Sequence, residues 1–440
     1  MPKANVATMH LDNAIAEVIA NKDLYVNNPG KDFCRNRKLP LSDLIYAMLE
    51  MKGGSLTSEM IRMCEKLNIS LSKSAFVQQR DKLRSEAFLA ILRSFNQKCN
   101  YHNLFWGYRL LAVDGSDINI HLNEGDTCMS NGTGHPYSQI HLNALYDLIN
   151  HIYVDVLPQG RAVEDERAAL IEMYQRTHMK NKAIIIADRG YESLNLITHF
   201  VESGSYELVL RVRSGKSGIK EICNLPLEEL DTDVNISITT TQTNEDKALG
   251  RHLVQTQKNK NRTYSKKTNN SNWDFPSPYN LKFRVVRFQL DSGEYETLVT
   301  TLPRDKFSLY ALKDLYHMRW GIETSFRELK YDIGLSHTHS KGVDSALQEI
   351  YAALIKYNYC EGIVGSIVID QCIKNKHTYV VNHAAAILIC MNYFRDRNCK
   401  VDKLENQIKQ YTEPLRPGRK DKRKNIVPKG FVSFLYRVAA

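Results

Sequence analysis

The sequence predicts an α/β protein in which a mixed β-sheet core is interrupted by a β-rich insertion and flanked by helices at both ends. Three observations predict this class. Residues 1 to about 100 carry helical periodicity without clear strands, the segment from 109 to 213 alternates strands with amphipathic helices, and helical patterns return after 308. The composition, 43% hydrophobic and 25% charged over 440 residues, is that of a folded protein of two or three domains.

The net charge indicates a class of partner, and the cysteine pattern indicates a compartment. A formal net charge of +10 favours an anionic partner, and nucleic acid is the leading candidate. The nine cysteines are widely spread and form no CxxC pair, which is typical of reduced cytosolic thiols. Because the first residues lack the apolar segment of a signal peptide and no stretch approaches a membrane span, we expect a cytoplasmic protein on DNA.

Residues 1–105 are predicted to form a helical DNA-binding domain. The segment 56–83, LTSEMIRMCEKLNISLSKSAFVQQRDKL, predicts two helices joined by a turn, with Ser72 or Ser74 capping the second. That second helix carries four polar residues, Gln78, Gln79, Arg80 and Lys82. The pair is either a DNA-reading helix-turn-helix or an ordinary helical hairpin with a solvated polar face, and the sequence leaves both open.

Residues 106–213 are predicted to form the first part of the α/β core. Three strands come first, in RLLAVDG, SQIHLNALYDL and HIYVDVLP, and an antiparallel meander is their simplest arrangement. A helix over 163–178, a buried strand in KAIIIADRGY, a helix in YESLNLITHFVES and a strand in YELVLRVR follow. The expected order is therefore β-β-β-α-β-α-β.

The rest of the chain divides into three predicted segments. Residues 214–305 form a β-rich insertion, with NISITTTQT and the pair KFRVVRFQL and YETLVTTL joined by DSGE. Its middle, 258–272, has five cations and no acid, which predicts a mobile basic loop that holds DNA or is merely solvated. Residues 306–395 complete the core and add C-terminal helices, and 396–440 form a basic tail.

Two aspartates follow apolar strands. Asp114 comes after LLAV and before Gly115, and Asp188 comes after AIIIA and before Arg189 and Gly190. We expect both at strand ends, where adjacent strands can bring their carboxylates together in a site for Mg²⁺. The alternative for each is a turn or cap. Asp117, three residues after Asp114, either assists the metal or caps a turn, and for this residue we favour the turn.

A third acid has neighbours in helical phase. Tyr316, Arg319, Glu323 and Lys330 fall within an arc of roughly 60° on one predicted helix face. Such a face can present one metal ligand together with groups that hold phosphate. The alternative is an exposed face stabilised by Glu and Arg pairs four residues apart.

Together these residues resemble the DDE transposases of bacterial insertion sequences, in the subgroup marked by YxxRxxxExxxxxxK (the IS-four type). The motif here is YHMRWGIETSFRELK, and LLAVDGSDINI and IIIADRGYESL resemble the other two family blocks. The resemblance runs from about 108 to 335. It implies an RNase H-like core, with Asp114 on the first strand and Asp188 after the fourth, and a β-rich insertion before Glu323.

The resemblance also implies an activity. Asp114, Asp188 and Glu323 would be the catalytic residues and would hold two Mg²⁺ ions, for which Mn²⁺ can substitute. The implied steps are nicking at the terminal inverted repeats, attack by the freed 3′-hydroxyl to form a hairpin, hairpin opening, and strand transfer into target DNA. A homodimer would hold both ends of the element in a synaptic complex. The resemblance therefore also implies a bacterial protein that is associated with the nucleoid.

The DNA-binding residues that the resemblance implies lie around these acids. Arg319 and Lys330 would hold phosphates near the cut and Tyr316 the end backbone. Arg189 and Tyr191, beside Asp188, are further candidates for the same task.

One tryptophan of the insertion is a further candidate. Some members of the family stack a flipped base on a tryptophan of the insertion, and Trp273 lies there in this chain. A core anchor is the alternative for Trp273.

Two other functions share this pattern. A metal-dependent nuclease of the same fold would cut DNA without strand transfer. An inactive descendant would bind DNA as a regulator, but a mere binder does not need the three acids.

Overall fold

The computed structural model describes residues 3–415 apart from gaps at 36, 100–102, 132–135, 178, 180, 216–217, 242, 255–272, 337, 366, 372–376 and 397–400. The predicted basic loop at 258–272 and the basic tail from 416 onward lie outside the described residues. Within the described part, no helix combines the length and apolarity that a membrane crossing requires.

The N-terminal segment is helical, as predicted. Its α-helices are α1 Lys3–Ala20, α2 Leu41–Glu50, α3 Leu56–Leu67, α4 Lys73–Arg80 and α5 Glu86–Lys98. Ser72 caps α4 by accepting a hydrogen bond from the backbone N–H of Ala75, so one of the two predicted caps is confirmed.

The core segment follows the predicted order, with one short strand added. Its elements are β1 Arg109–Ile120, β2 Met129–Asn131, β3 Pro136–Asp147, β4 Ile152–Gly160, α6 Glu166–Arg176, β5 Ala183–Ala187, α7 Leu194–Val201 and β6 Tyr206–Val212. β3 pairs antiparallel with both β1 and β4, which confirms the meander. β5 runs parallel to β1 and to β6. Three antiparallel strands followed by two parallel ones make this core RNase H-like.

The insertion extends the same sheet. Its elements are α8 Lys220–Cys223, β7 Leu230–Thr239, α9 Asn244–Ala248, β8 His252–Leu253, β9 Tyr279–Gln289 and β10 Tyr295–Thr300. β9 and β10 form the predicted hairpin, and β10 pairs antiparallel with β6. Strands β1 to β10 therefore form one ten-stranded mixed sheet, in which the insertion covers the β6 edge that the core would otherwise leave unpaired.

Helices return after the sheet. The remaining elements are α10 Leu309–His317, α11 Trp320–Tyr331, α12 Val343–Val364, β11 Tyr379–Val381, α13 His383–Arg395, α14 Val401–Gln410 and β12 Thr412–Pro414. The one helix face predicted for Tyr316, Arg319, Glu323 and Lys330 is divided between α10 and α11, because a turn at Met318 and Arg319 separates the two helices.

Both faces of the sheet are buried. Successive side chains of β1 point to opposite faces, so Leu110 and Ala112 pack in the layer of α11 and α12 while Leu111 and Val113 pack with α6 and α7. The fully apolar β5 contributes to both layers. Asp114 continues the alternation of Ala112 and therefore lies on the α11 side.

The second helix of the predicted helix-turn-helix packs inward. Gln79 is buried and donates to the carbonyl of Leu39. Arg80 is buried against α12, where its guanidinium contacts Gln348 and Glu349. These two residues cannot read DNA from α4, because their polar groups are already engaged inside the protein.

Candidate active site

The sheet places Asp114 beside Asp188. The last register pair of β1 and β5 is Val113 with Ala187, so each aspartate is the next residue of its strand. Asp114 does not lie at a strand end, which corrects the prediction: β1 continues to Ile120, whereas β5 stops at Ala187. From Asp114 onward, β1 therefore has no strand beside it on the β5 side, and this leaves an opening in the sheet next to the two aspartates.

Each aspartate is held by a short local hydrogen bond. Oδ1 of Asp114 accepts from the backbone N–H of Gly115 at 2.9 Å, and Oδ1 of Asp188 accepts from the N–H of Arg189 at 2.7 Å. Asp188 thereby caps a short 3₁₀ turn over Arg189–Tyr191. These bonds fix one oxygen of each carboxylate and orient the other.

Arg319, in the turn after α10, joins Glu323 of α11 to Asp114, and Tyr316 of α10 contacts Asp188. Arg319 places Nη2 2.7 Å from Oε1 of Glu323 and Nη1 3.7 Å from Oδ2 of Asp114. Tyr316 donates from its hydroxyl to Oδ1 of Asp188 at 3.2 Å. The structure thus brings the three predicted acids into one cluster, with Tyr316 and Arg319 between them.

The cluster has an excess of negative charge, which favours the binding of a cation. Burial raises the pKa of Asp114 to about 6, and the charges of Glu166 and Glu323 act the same way, against Gly115 N–H and Arg319. Carboxylate oxygens are the donors that Mg²⁺ prefers, and a divalent cation would relieve the repulsion. Nε of Arg319 is also buried without a hydrogen-bond partner among the described residues, so the single arginine does not complete the site.

Lys330 and Asp117 lie on the flank of the cluster. Nζ of Lys330 donates to the backbone carbonyl of Asp117 at 3.0 Å, and burial lowers the pKa of this lysine. Asp117 does not cap a turn, which corrects the preferred interpretation, because it lies within β1 and accepts from Nδ1 of His141 at 2.7 Å. Lys330 therefore reaches the cluster side of β1 without contacting an acid of the triad.

Arg189 opens onto a basic cavity. The cavity has a volume of about 330 Å³, and its lining includes Arg189, Arg211 and Arg213 together with Glu296. Nε of Arg211 lies 3.2 Å from Oε2 of Glu296, so one of the three guanidinium groups is paired. A basic cavity next to Asp188 is suited to an anion such as phosphate.

Three aromatic residues near the acids or in the insertion have different surroundings. Tyr191 is only 1% exposed, so its side chain lies inside the protein, and the DNA contact predicted for it stays a prediction. Trp320 is 48% exposed, and the guanidinium of Arg319 lies 5.4 Å from its ring centroid. Trp273 packs edge-on against Phe275 and Tyr279, with Nε1 donating to Pro276, as a core anchor would.

Sequence reasoning missed Glu166 and His141. Glu166 begins α6, and its Oε1 lies 3.1 Å from Nε2 of His141. Burial lowers the pKa of His141, but hydrogen bonds to Asp117 and Glu166 outweigh it and raise the pKa to about 9. Neither residue stands in a motif, and their partners are distant in sequence, so no local pattern could have identified them.

A second group of possible metal ligands consists of Asp117 on β1, His141 on β3 and Glu164 after β4. One ligand atom each of Asp117, His141 and Glu164 fall within 4.8 Å of one another. Arg161 contacts both carboxylates of this group, with Nη1 3.5 Å from Oδ1 of Asp117 and within hydrogen-bonding reach of Glu164. One guanidinium there offsets part of the charge of two carboxylates, whereas in the triad one guanidinium, that of Arg319, stands among three carboxylates.

The known proteins that this chain is similar to are transposases. Residues 105–359 match the family described as Transposase DDE domain. The chain is 35% identical over 75 residues to the putative transposase InsL of insertion sequence element IS186A from Escherichia coli (strain K12), and equally to the transposase of element IS421 from Escherichia coli. Each match covers 17% of this chain and only 20% of the relative.

One solved structure is similar over most of the chain. It is described as a piggyBac transposase synaptic complex with hairpin DNA. It covers 95% of this chain and 84% of that chain, with 12% identity and a TM-score of 0.46.

Proposed function

The chain belongs to the transposase DDE domain family, and on that premise we propose that it is the transposase of a bacterial insertion sequence, in the subgroup with the YxxRxxxExxxxxxK motif. It binds the terminal inverted repeats of its element, cleaves DNA at the ends through hairpin intermediates, and joins the ends to target DNA. Two copies of the chain hold the two ends in a synaptic complex.

One observation carries this proposal. Asp114 and Asp188 lie next to each other on parallel strands, and Arg319 joins Asp114 to Glu323. Three carboxylates from separate elements converge although their mutual repulsion costs free energy, which a purely structural cluster would avoid. Convergence of this kind is what phosphoryl transfer with divalent cations requires.

The three acids would hold two Mg²⁺ ions, with Mn²⁺ as a substitute. When bound, the cations activate a water or 3′-hydroxyl and stabilise the leaving oxygen of an in-line displacement. The residues around them have separate tasks. Arg319 orients Asp114 and Glu323 and offsets part of their charge, and Tyr316 fixes Asp188 through its hydroxyl.

DNA would lie across the open side of this cluster. Arg189, Arg211 and Arg213 line the cavity beside Asp188 and bind backbone phosphates on that side. Lys330, whose ammonium is held at the carbonyl of Asp117, binds the strand on the flank of β1. The two sets lie on different sides of the triad, so they can hold the strand on either side of the scissile phosphate.

The N-terminal helices contribute a second DNA contact. A cleft of about 460 Å³ lies beside the loop between α1 and α2, and its lining includes Lys31, Arg35, Arg37 and Lys82. These cations are exposed or partly exposed, unlike Gln79 and Arg80 of α4. We therefore place the backbone contact of this domain at the cleft and not on α4.

The test is a product analysis on DNA. Wild-type protein and Glu323→Gln are incubated with a labelled duplex that carries the end of the element, with Mg²⁺ and with a target plasmid, and binding is measured in parallel. We expect nicked, hairpin and joined products from the wild type. Glu323→Gln should bind the duplex and form none of them.

Other outcomes would replace the proposal. Double-strand cuts without hairpin or joined product would identify a nuclease of the same fold. Binding without any cleavage, with either Mg²⁺ or Mn²⁺, would identify a DNA-binding regulator.

A further inference from the structure

Glu166 is anchored to the loop that follows Asp188. It is the first residue of α6, and the N-cap residue Asp165 holds the first turn of that helix. The next residue, Arg167, donates from Nη2 and Nε to the carbonyl of Gly190 at 2.9 and 3.2 Å. The start of α6 is therefore fixed against the loop of the second catalytic aspartate.

Two glycines make room for the Glu166 carboxylate. A Cβ atom on Gly115 would lie 2.9 Å from Oε1 of Glu166 and 2.2 Å from Nε2 of His141. A Cβ atom on Gly190 would lie 3.4 Å from Oε2. The carboxylate thus occupies the space beside the glycines that follow Asp114 and Asp188, at the point where β5 has ended.

His141 orients Glu166 and leaves one of its oxygens free. Its Nε2 lies 3.1 Å from Oε1, and its Nδ1 lies 2.7 Å from Asp117 and 3.7 Å from Glu164. Oε2 of Glu166 has no hydrogen-bond partner among the described residues. A carboxylate held by one oxygen, with the other open, has the form of a metal ligand supported by a second residue.

Tyr191 provides an independent observation at the same place. It is 1% exposed, and its hydroxyl has no hydrogen-bond partner in the described part of the chain. Burial raises its pKa, and the charges of Glu166, Asp114 and Asp188 follow as causes in that order, so all three lie within electrostatic range. A buried hydroxyl without a partner destabilises the fold, and a ligand bound among these carboxylates would remove this cost by hydrogen bonding to it.

We propose that Glu166 is a fourth carboxylate of the metal site, binding a divalent cation together with Asp114 and Asp188, and that His141 is the residue that positions it. This inference rests on the proposed function only for the use of the cation, since cation binding itself is measured without DNA. Glu166 reaches the site from the α6 side of the sheet, whereas Glu323 reaches it from the α11 side.

The competing location is the group formed by Asp117, His141 and Glu164. It contains ligand atoms at suitable spacing, but Arg161 lies between its two carboxylates. A cation there would have to displace the Arg161 guanidinium, which already offsets part of the negative charge of the group. Glu164 is therefore the matched control for Glu166, because it lies two residues away, has the same side chain and also faces His141.

The test is Mn²⁺ binding to the full chain without DNA, measured by calorimetry and by the electron paramagnetic resonance of free Mn²⁺. We compare wild type with Glu166→Gln, Glu164→Gln and Glu323→Gln, and follow thermal unfolding of each. Glu166→Gln should lower the Mn²⁺ affinity at least about tenfold, and Glu164→Gln should change it by less than about twofold. If Glu166→Gln melts early, Glu166→Asp keeps the charge and should bind more tightly than Glu166→Gln.

Each outcome decides one point. Wild-type Mn²⁺ affinity in Glu166→Gln, with a loss in Glu323→Gln, would overturn the inference and leave the proposed function standing. A loss in Glu164→Gln alone would move the cation to the competing group and would also overturn it. Glu166-dependent Mn²⁺ binding by a protein that never cleaves the element's end would support the fourth ligand and overturn the proposed function.

Discussion

The hydroxyl of Tyr316 lies 3.2 Å from Oδ1 of Asp188 and donates a hydrogen bond to it. Tyr316 is on α10 and Asp188 follows β5, so the bond joins α10 to the end of β5 in the sheet. Burial raises the pKa of Tyr316, and the charge of Asp188 adds to this, so the hydroxyl stays protonated and remains a donor. The motif thus contributes to the site through contacts with both aspartates as well as through its glutamate.

Replacing Tyr316 with Phe tests this bond. The ring of Tyr316 is buried, and Phe fills the same space, so the fold should be kept. Loss of a hydrogen bond to a charged group predicts nicking slowed about tenfold or more in single-turnover assays, with DNA affinity little changed. An unchanged nicking rate would show that Asp188 is positioned without Tyr316.

Replacing Arg319 with Lys tests the bridge between Asp114 and Glu323. One ammonium cannot reproduce a guanidinium that contacts two carboxylates, so we predict a fall in nicking rate of about a hundredfold. The matched control is Arg304→Lys, because Arg304 also contacts two carboxylates, those of Asp231 and Asp233, but in the insertion. Equal losses in the two variants would indicate a general effect on folding and contradict a role at the site.

His383 gives a prediction about stability and pH. Burial lowers its pKa, but the hydrogen bond and charge of Glu361 and the charge of Glu328 outweigh this and raise the pKa to about 9. The folded pKa lies above the unfolded value of about 6.5. The charged His383 therefore contributes its full stabilisation of the folded state below pH of about 6.5, and this stabilisation is lost as the pH rises through 9.

The measurement compares unfolding of wild type and His383→Gln over this window. The wild type should be more stable by about 2 kcal/mol near pH of about 6, where Glu361 is still charged, and the difference should shrink between pH of about 6.5 and 9. A difference that stays constant with pH would contradict the charged pair.

The N-terminal cleft predicts the salt dependence of DNA binding. Arg35→Ala with Arg37→Ala removes two cations from its lining, so affinity for the element's end should fall and the slope of log affinity against log salt should decrease by about 2. Lys73→Ala with Gln78→Ala, on the exposed part of α4, is the comparison. A loss confined to the α4 pair would return the DNA contact to that helix.

The sequence predicted the framework because its strands and helices are local patterns. The apolar AIIIA before Asp188 predicts a buried strand, and pairing of that strand beside LLAV brings Asp188 to Asp114. The helical phase of Tyr316, Arg319 and Glu323 placed them on one side of the chain. The turn at Met318 and Arg319 did not disturb this, because both residues keep right-handed helical dihedral angles.

What the sequence could not predict depends on contacts between distant residues. Gln79 and Arg80 have the composition of a solvated helix face, but their partners are Leu39 and residues of α12. Glu166 looks like an ordinary acid in the first turn of a helix, and only the folded chain places it beside Gly115 and Gly190. Asp114 was expected at a strand end because nothing local shows that β1 outlasts β5.

The most direct test of the central claim asks whether three acids form one site. Single-turnover nicking of the element's end is measured for wild type, Asp114→Asn, Asp188→Asn, Glu323→Gln and the variant that combines Asp114→Asn with Glu323→Gln. Residues that act as a unit lose activity together, so each single variant should fall at least about a thousandfold and the double variant no further. Full nicking activity in any one of the single variants, with metal and DNA saturating, would contradict the account.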